Sequence, residues 1–496
     1  MKKIYLMATI ALMTTVSSCD LDINDNPNYP SSSDVTPNLM FPAVENAIAD
    51  VSGDHLFNYA GFFAQYFEQM PEANQYNDYT TYNLDEEKDL FNRPYRLIYA
   101  GALQDIQDIT SRTTNTADLF ACAVMRAQAF QLVVDNIGEA PYTEANMGSD
   151  NAQPKFDDGK TIYEGVLKEM DEAEAAIKTG DIITLTDPML KGNLNQWIGY
   201  ANALRLRMYL RLIDAGETSY TSKVQQLVNA DKFFSGDVAW DVYSNAEGQY
   251  NPWYASKFRL GTNNHVAAYP IVAYYMSTND PRIAYAIKKT EATGEYEGQL
   301  PGSKMKGSDW AGANWKNKDV SGIDYTPSIA MPVYMFTQSE LQFLIAEAQL
   351  RFNNNEAAAK AAYEAGVTTD FASRSIAGVG TFLASNKVNF DAQANTQAKL
   401  NLIYKQKWAA LFYRDHMEAW SEARRTGIPA QSTVSAEQIY KDASAYTAGE
   451  FIVPAQNYIE VGGLIKCVPY PSDARRLNKN MPEHVRLLNE KVFFGK

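Results

Sequence analysis

Apolar residues recur every three or four positions along most of this chain, which is the spacing of one buried face on an α-helix. The pattern starts near Leu39 and then marks long segments at Leu119 to Val134, Thr161 to Ile177, Trp197 to Leu212, Ser339 to Val367 and Leu400 to Trp420. A chain of 496 residues is too long for one small core. The pattern therefore predicts either two or three subdomains or one large array of helices.

Local signals predict where some of these helices begin and pair. The string from Thr161 to Glu164 is a capping-box pattern, which predicts a helix start at Thr161. Asn353 and Asn354 predict a tight turn between two helices. The alanines at positions 358 and 365 then match half of a tetratricopeptide hairpin, although any antiparallel helix pair fits the same pattern.

Other residues predict helix ends and buried positions. Asp135 to Gly138 is predicted to be a loop, with the glycine at positive φ, and Gly427 to Pro429 is predicted to end the helix that starts at Leu400. Arg205, Arg207 and Arg211 lie mostly off the apolar stripe of their helix, and Arg205 and Arg207 are expected to pair with carboxylates. Three tryptophans on helix faces are predicted to be core residues: Trp197, Trp408 and Trp420.

Two parts of the chain lack the helical pattern. The segment from Phe233 to Tyr325 is rich in Gly, Asn, Pro, Trp and Tyr, which predicts long loops with short pieces of structure. Phe451 to Lys496 is also predicted to be mostly loop. Because loops on a rigid scaffold commonly carry binding residues, a binding site is expected in the first of these segments.

The N-terminus has the features of a secretory signal. Lys2 and Lys3 precede an apolar run from Ile4 to Val16, which is too short to cross a bilayer. The string that ends at Cys19 resembles the lipobox of bacterial lipoproteins, in which the cysteine is lipidated and becomes the mature N-terminus. An ordinary signal peptide with a chance cysteine is the alternative. Residues 1–18 are therefore predicted to be a signal peptide, and residues 19–36 a lipidated flexible tether.

Composition narrows the possible functions. The formal net charge of −15 and the lack of a dominant basic patch argue against nucleic acid as a partner. The sequence contains no HExxH, CxxC, GxSxG or Walker-type string, and no stretch after the signal is expected to have the length and polarity of a membrane helix. Cys122 and Cys467 are left either as buried thiols or as one disulfide of an exported protein.

Several strings, in order, resemble the SusD/RagB family of outer-membrane nutrient-binding lipoproteins. They are Val134 to Ala145 (VDNIGEAPYTEA), Trp197 to Arg207 (WIGYANALRLR), Asp280 to Arg282 (DPR), Ser339 to Ala348, Tyr363 to Val367, Gln406 to Gly427 and Pro469 to Asn480. Tyr470 stands where the family has arginine, so the last string is the weakest match. The resemblance runs from Cys19 to about Asn480, and the spacing is more similar to the second SusD-like subgroup.

The resemblance implies an all-α fold over residues 37–496, with a loop-rich insertion at about 233–325. Tetratricopeptide-like helix pairs would form a scaffold on one side, and irregular loops and helices would form the ligand-binding side. It also implies a non-catalytic protein anchored to the outer membrane through Cys19 and exposed at the cell surface. Such a protein binds a nutrient, often an oligosaccharide, and passes it to a SusC-type TonB-dependent transporter.

Aromatic residues in loops, beside asparagines, are the candidates for ligand binding. Their ring faces can stack on sugar C–H groups, while sugar hydroxyls need polar partners nearby. Three clusters fit this description: Tyr250, Trp253 and Tyr254; Trp310 and Trp315; and Tyr76, Tyr79 and Tyr82. Each cluster can instead pack onto the scaffold or face the transporter.

Two other functions stay open on the sequence. A glycoside hydrolase would need two carboxylates about 5–10 Å apart across the scissile bond, and acidic residues are plentiful, although no acidic pair lies in a recognisable catalytic string. A scaffold that binds another protein and no small ligand also fits an array of helix pairs. No cofactor is predicted. Calcium stays open because the acidic loop from Asp85 to Glu87 is explained equally well as solvated surface.

Overall fold

Helices dominate the computed structural model, which describes residues 35–259, 261, 263–306 and 314–496. The α-helices are α1 (Pro37–Asp50), α2 (Phe57–Phe63), α3 (Asn77–Thr81), α4 (Asn92–Arg96), α5 (Gln104–Arg112), α6 (Thr116–Ile137), α7 (Gly159–Ala175), α8 (Leu194–Asp214), α9 (Thr221–Ala230), α10 (Tyr269–Thr278), α11 (Ile283–Ala286), α12 (Gln338–Arg351), α13 (Glu356–Ser373), α14 (Val379–Leu383), α15 (Thr396–Leu411), α16 (His416–Thr426), α17 (Ala436–Lys441) and α18 (Ser472–Leu477). Short π-helical segments span Val51–Leu56, Leu97–Leu103 and Tyr254–Phe258. Short 3₁₀ turns span Glu86–Lys88, Gly148–Asp150, Thr218–Tyr220, Ser303–Lys306, Asn317–Asp319, Thr326–Ser328 and Ala443–Ala445.

Four short strands form two antiparallel ribbons in this part of the chain. They are β1 (Phe67–Gln69), β2 (Val238–Trp240), β3 (His265–Ala267) and β4 (Val333–Phe336). β1 pairs with β3, with Phe67 opposite Ala267, and β2 pairs with β4. Each ribbon has two strands of three or four residues, so helices are the dominant element of the described structure. The predicted all-α fold is therefore confirmed.

The predicted hairpin between Ser339 and Val367 consists of α12 and α13. Asn354 adopts a φ of 48°, which closes the turn between the two helices. The helices approach closely at Gly366, where a Cβ would lie 3.0 Å from the Phe343 ring. Ser339 Oγ also donates a hydrogen bond to the Gly366 carbonyl at 2.8 Å. α6 and α7 form a second packed pair, so paired helices make up a large part of the body.

Two predicted helix boundaries differ from the structure. α7 begins before Thr161, because Asp158 is its N-cap and accepts a hydrogen bond from the Thr161 N–H at 3.0 Å. α6 continues through Asp135 and Asn136, which the sequence places in a loop, and ends at Gly138 with the predicted positive φ, 82°. Asn136 stays helical because the side chain is fully buried and accepts a hydrogen bond from a tyrosine hydroxyl.

The helix predicted from Leu400 to Trp420 is wrong as one element, since it consists of α15 and α16. Tyr413, in the connection, adopts a φ of 60°, which no continuing α-helix allows. Asp415 then caps α16 by accepting a hydrogen bond from the Glu418 N–H at 3.0 Å. Sequence periodicity missed the break because both helices bury apolar residues in the same core.

α8 is buried almost all round, so the arginines that lie mostly off its apolar stripe are buried as well. Arg207 and Arg211 are 1% and 0% exposed. Arg207 Nη2 lies 2.8 Å from both carboxylate oxygens of Glu340. Arg211 binds Asp135 and Glu418, each at 2.6 Å. The expected pairing of Arg207 with a carboxylate is thus confirmed, and buried ion pairs join α6, α8, α12 and α16.

Apolar core predictions hold with one correction. Trp197, Trp408 and Trp420 are at most 2% exposed, as predicted. Among the described residues, α6 has the length and hydropathy of a membrane-spanning helix, contrary to the sequence-based expectation, but 83% of that stretch is buried inside the fold. It is therefore a core helix.

Cys122 and Cys467 are both buried and free, so they are thiols and not a disulfide.

Candidate functional site

An open cleft lined with aromatic side chains lies where α10, α17 and the loops around 296 and 315 meet. Its volume is about 340 Å³. One face of α10 forms one wall, with Tyr269, Val272, Ala273 and Met276 at helical spacing. Tyr296, Trp315 and Tyr440 supply the remaining aromatic surface. The cleft offers ring faces and edges to a ligand, which suits the stacking of sugar rings.

Short local motifs hold the aromatic side chains in place. Ser435 and Gln438 form a reciprocal capping box that starts α17. Ile439 packs into a small apolar core with Leu300, which leaves the next residue, Tyr440, 37% exposed on the cleft side. The Tyr440 ring then meets the ring of Trp315 edge to face, with centroids 6.0 Å apart.

The loop that carries Tyr296 can run against α10 because of Gly298. A Cβ at this position would lie 2.4 Å from the Tyr269 Cα, so any larger residue would push the loop out of the cleft wall. Lys289 Nζ lies 5.5 Å from the centroid of the Tyr296 ring, a cation–π contact that fixes the ring. This wall of the cleft, made by α10 and the Tyr296 loop, is therefore formed in the ligand-free structure.

Glu297 is the one carboxylate among the described residues that line the cleft. Partial burial raises the pKa of the Glu297 carboxyl above its usual value. A single carboxylate can accept hydrogen bonds from sugar hydroxyls, but hydrolysis of a glycosidic bond needs a pair. The described lining of the cleft therefore offers one carboxylate to a ligand.

The structure brings one predicted ligand residue, Trp315, to this cleft. Trp315 is half-buried and contributes its ring to the lining. Trp310, predicted with it, lies outside the described residues, as does the lipidation candidate Cys19. The predicted contact of Trp315 with a ligand stays a prediction.

Trp253 lies in the core, although the sequence predicts it to be a loop residue that contacts ligand. Its side chain is 0% exposed, stacks parallel to Phe67 and donates a hydrogen bond from Nε1 to Asn58. Asn251 turns the chain inward here, because its Oδ1 accepts the Trp253 N–H and its Nδ2 donates to the Met331 carbonyl. No face of the Trp253 ring is open to a ligand in this arrangement.

The other predicted tyrosines connect to this buried tryptophan through intervening rings, except Tyr82, which is 3% exposed and packs on Phe63. Tyr76 is 3% exposed and packs on His265, with centroids 4.5 Å apart, while Tyr79 is half-buried beside it. Tyr250 and Tyr254 are half-buried and contact each other at 5.3 Å. The two predicted tyrosine clusters therefore belong to one continuous set of packed rings, in which Tyr79, Tyr250 and Tyr254 keep some exposed surface.

Hydrogen bonds join the segment of Tyr76 and Tyr79 to the segment of Trp315. Glu72 and Asn317 bond each other's backbone N–H with their side chains, at 3.0 and 3.1 Å. Lys304 Nζ donates to the side chains of Asn74 and Asn77 at 2.5 and 3.2 Å. Two stretches that are about 230 residues apart in sequence therefore form one continuous face.

Sequence reasoning missed Tyr440, Tyr296 and Met276. The capping box from Ser435 to Gln438 was a detectable sign of a short helix that ends in an exposed tyrosine. Met276 is 49% exposed although it lies in an apolar helix, and no sequence signal distinguishes it from core residues. Within residues 35–259, 261, 263–306 and 314–496, no group of three or more His, Cys, Asp or Glu side chains could hold a metal ion.

Comparisons with known proteins agree with this architecture. A chitin-binding SusD homolog from Flavobacterium johnsoniae is 19% identical, with a TM-score of 0.71 over 92% of this chain and 98% of that chain. A SusD homolog from Bacteroides fragilis is 18% identical, with a TM-score of 0.71 over 93% and 100%. One from Bacteroides vulgatus is 20% identical, with a TM-score of 0.68 over 88% and 92%. At 18–20% sequence identity, the similarity to these three structures shows a shared fold alone.

Sequence comparison then identifies the family. No curated protein matches the chain. A family model does match residues 27–444, which is most of the sequence, and its description is SusD-like, starch-binding and associating with the outer membrane. The fold, the order of the sequence strings and this match agree, and the chain belongs to the SusD-like family of outer-membrane-associated nutrient-binding proteins.

Proposed function

We propose that this protein is a non-catalytic outer-membrane lipoprotein that binds an oligosaccharide in the cleft of Trp315 and Tyr440 and passes it to a SusC-type TonB-dependent transporter. The observation that carries the proposal is the cleft itself, because it combines several aromatic rings with a single carboxylate, Glu297. Carbohydrate is the favoured ligand since the family model is described as starch-binding and one similar structure as chitin-binding.

The predicted tyrosines extend the proposed ligand surface. Tyr79, on the segment that Lys304 joins to the Trp315 side, lies beside the cleft-forming loops. An oligosaccharide longer than the cleft would continue toward this face, where asparagine side chains offer hydrogen-bond donors and acceptors. Tyr250 and Tyr254 form a more distant part of the same proposed surface, while Trp253 and Tyr76 support it from below.

Replacing Trp315 with alanine is expected to weaken oligosaccharide binding about tenfold or more. The loss removes one of the two rings that meet across the cleft, and a stacked ring contributes about 1–2 kcal/mol. The measurement is calorimetric titration of the mature protein with chito-oligosaccharides, malto-oligosaccharides and peptides. The variant Tyr440→Ala should weaken the same ligand in the same direction.

The matched control for this titration is Tyr458→Ala. Tyr458 is 54% exposed and lines a different groove, so its removal should leave the affinity within about twofold. Binding that survives in both cleft variants would reject the cleft as the site. Release of reducing ends from any bound glycan would reject the non-catalytic function.

A second surface supports the proposed transporter contact. The exposed apolar side chains of Tyr458, Val461, Val485 and Leu487 line one groove of about 340 Å³. Their exposed fractions are 54%, 80%, 66% and 60%. Soluble monomers rarely expose several large apolar side chains together, and such patches commonly mark interfaces. We assign this groove to the transporter, and we assign attachment to the membrane to lipidated Cys19.

Two variants separate attachment from docking. Cys19→Ala is expected to move the protein out of the outer-membrane fraction, because a chain without acyl groups has no anchor. Leu487→Asp is expected to keep the protein in the membrane fraction but to reduce its co-purification with the transporter several-fold, since it places a charge in an apolar interface. Equal co-purification of Leu487→Asp and wild type would exclude this groove as the docking surface.

A further inference from the structure

A second pocket, away from the aromatic cleft, lies where the end of α16 meets the loops around residues 429, 451 and 465. Its volume is about 150 Å³. The floor is apolar: Phe63, Trp420, Phe451 and Ile465 are all at most 3% exposed. Three cations, Arg424, Lys466 and Lys496, complete the lining. The described residues that line this pocket include no Asp or Glu, in a protein whose formal net charge is −15.

Arg424 in this pocket differs from its buried neighbour Arg425 in the partners of its guanidinium. Arg425, the next residue, binds Glu347 and Glu422, each at 2.6 Å. Arg424 instead donates only to neutral acceptors in the described structure: the carbonyls of Asp135 and Lys466 at 2.7 and 2.9 Å, the carbonyl of Trp420 and the hydroxyl of Ser421. Its guanidinium is therefore hydrogen-bonded but has no carboxylate partner.

The pKa shifts of the pocket cations and a cation–π contact also indicate a site for an anion. Burial lowers the pKa of Arg424 to about 10; the nearby Asp135 carboxylate opposes this shift, and Arg211 adds to it. Burial, together with Lys491, also lowers the pKa of Lys466. Arg424 stacks over the Trp420 ring with Cζ 3.6 Å from the centroid, so the positive charge sits directly above the apolar floor. An anion in the pocket would relieve the unbalanced positive charge.

We infer that this pocket binds a small organic carboxylate, with the carboxylate near Lys466 and Lys496 and an apolar body against Phe451 and Ile465. Lys466 Nζ donates to the backbone oxygen of Lys496, and Lys496 Nζ donates to the Thr426 carbonyl, so each ammonium keeps further protons for a ligand. Even if Lys496 ends the chain and adds a carboxylate, the lining retains two net positive charges.

The size and polarity of the pocket define the ligand class. A volume of about 150 Å³ accommodates one aromatic ring or a short alkyl chain with its acid group. The apolar floor suits the hydrocarbon part of a ligand, and the three cations favour a negatively charged group over an uncharged sugar. The proposed site is thus chemically distinct from the cleft of Trp315 and is independent of the oligosaccharide proposal.

The test titrates the full mature chain with benzoate and hexanoate, and with benzamide as an uncharged molecule of nearly the same shape. Saturable binding of at least one carboxylate is expected, with benzamide about tenfold weaker or more. Lys466→Gln and Lys496→Gln should each weaken the carboxylate several-fold, because each removes one of the charges that would face it. Both lysines are surface-accessible side chains, so the variants are expected to fold.

Lys479→Gln is the matched control. It removes the same charge from an exposed lysine that neither lines the pocket nor shifts the pKa of Lys466 or Arg424, and it should leave the affinity within about twofold. Three results would overturn the inference: no saturable binding of either carboxylate, equal affinity for benzoate and benzamide, or an equal loss in all three lysine variants, which would indicate non-specific attraction to charge.

Discussion

Replacing Arg211 with methionine is expected to lower the free energy of unfolding by about 3–5 kcal/mol. Arg211 is 0% exposed and binds the carboxylates of Asp135 and Glu418, each at 2.6 Å. Methionine fills much of the same volume but leaves Asp135 buried without its ion-pair partner, while Glu418 keeps Arg207 and Lys407 at 3.3 and 3.1 Å. The loss comes mainly from the uncompensated charge of Asp135, and urea unfolding of the purified mature protein at pH 7 measures it.

The matched control for Arg211 is Arg476→Met. Arg476 also binds an aspartate, Asp473 at 2.6 Å, but its side chain is 73% exposed. Water already solvates both charges of this pair, so its removal should change the free energy of unfolding by less than about 1 kcal/mol. Similar losses in the two arginine variants would contradict the idea that burial, and not ion pairing itself, sets the effect.

Replacing Glu45 with glutamine is expected to stabilise the protein at neutral pH. Glu45 is 0% exposed in α1, and burial, followed by the neighbouring Asp187 carboxylate, raises its pKa to about 10. A carboxyl whose pKa is raised on folding destabilises the fold increasingly as pH rises from the unfolded pKa toward the folded pKa. At pH 7 this penalty reaches about 3 kcal/mol, and glutamine, with no proton to lose, avoids it.

A stability difference that grows with pH would identify the proton held by Glu45 as its cause. Wild type and Glu45→Gln should differ little in free energy of unfolding near pH 4.5, and the variant should gain as pH rises to 7.5. Glu437→Gln, at a half-exposed position of α17 where the carboxylate pairs with Lys441 at the surface, should change stability by less than about 0.5 kcal/mol at both pH values. A difference between wild type and Glu45→Gln that is independent of pH would rule out a proton held by Glu45.

Local features of the fold could be predicted from the sequence, because they depend on neighbouring residues. The apolar stripes located most long helices, and Gly138 ended α6 with the predicted positive φ. The break between α15 and α16 escaped prediction since Tyr413 adopts its unusual φ only in the folded chain. Glu45 likewise resembles a solvated helix residue in sequence, and only tertiary packing buries it.

Only part of the candidate site could be predicted, because only some of its residues are recognisable from their neighbours in sequence. Trp315 was identifiable as an aromatic residue in a loop beside asparagine, and the structure places it in the cleft. Its partner Tyr440 follows 125 positions later and reaches the cleft because Ile439 packs on Leu300, a contact that no local pattern encodes. Trp253 carried the same local signal as Trp315, but contacts with Asn58 and Phe67 draw it into the core.

The polar residues inside α6 have a consequence for export. A signal peptide predicts that the chain crosses the inner membrane unfolded, and α6 then presents a segment as apolar as many membrane spans. Arg126, near the middle of that segment, disfavours its insertion into lipid by about 2.5–3.5 kcal/mol, while Asp118 and Asp135 lie close to the two ends. We therefore expect the arginine that binds Glu169 in the folded protein to oppose arrest of the segment in the inner membrane during export.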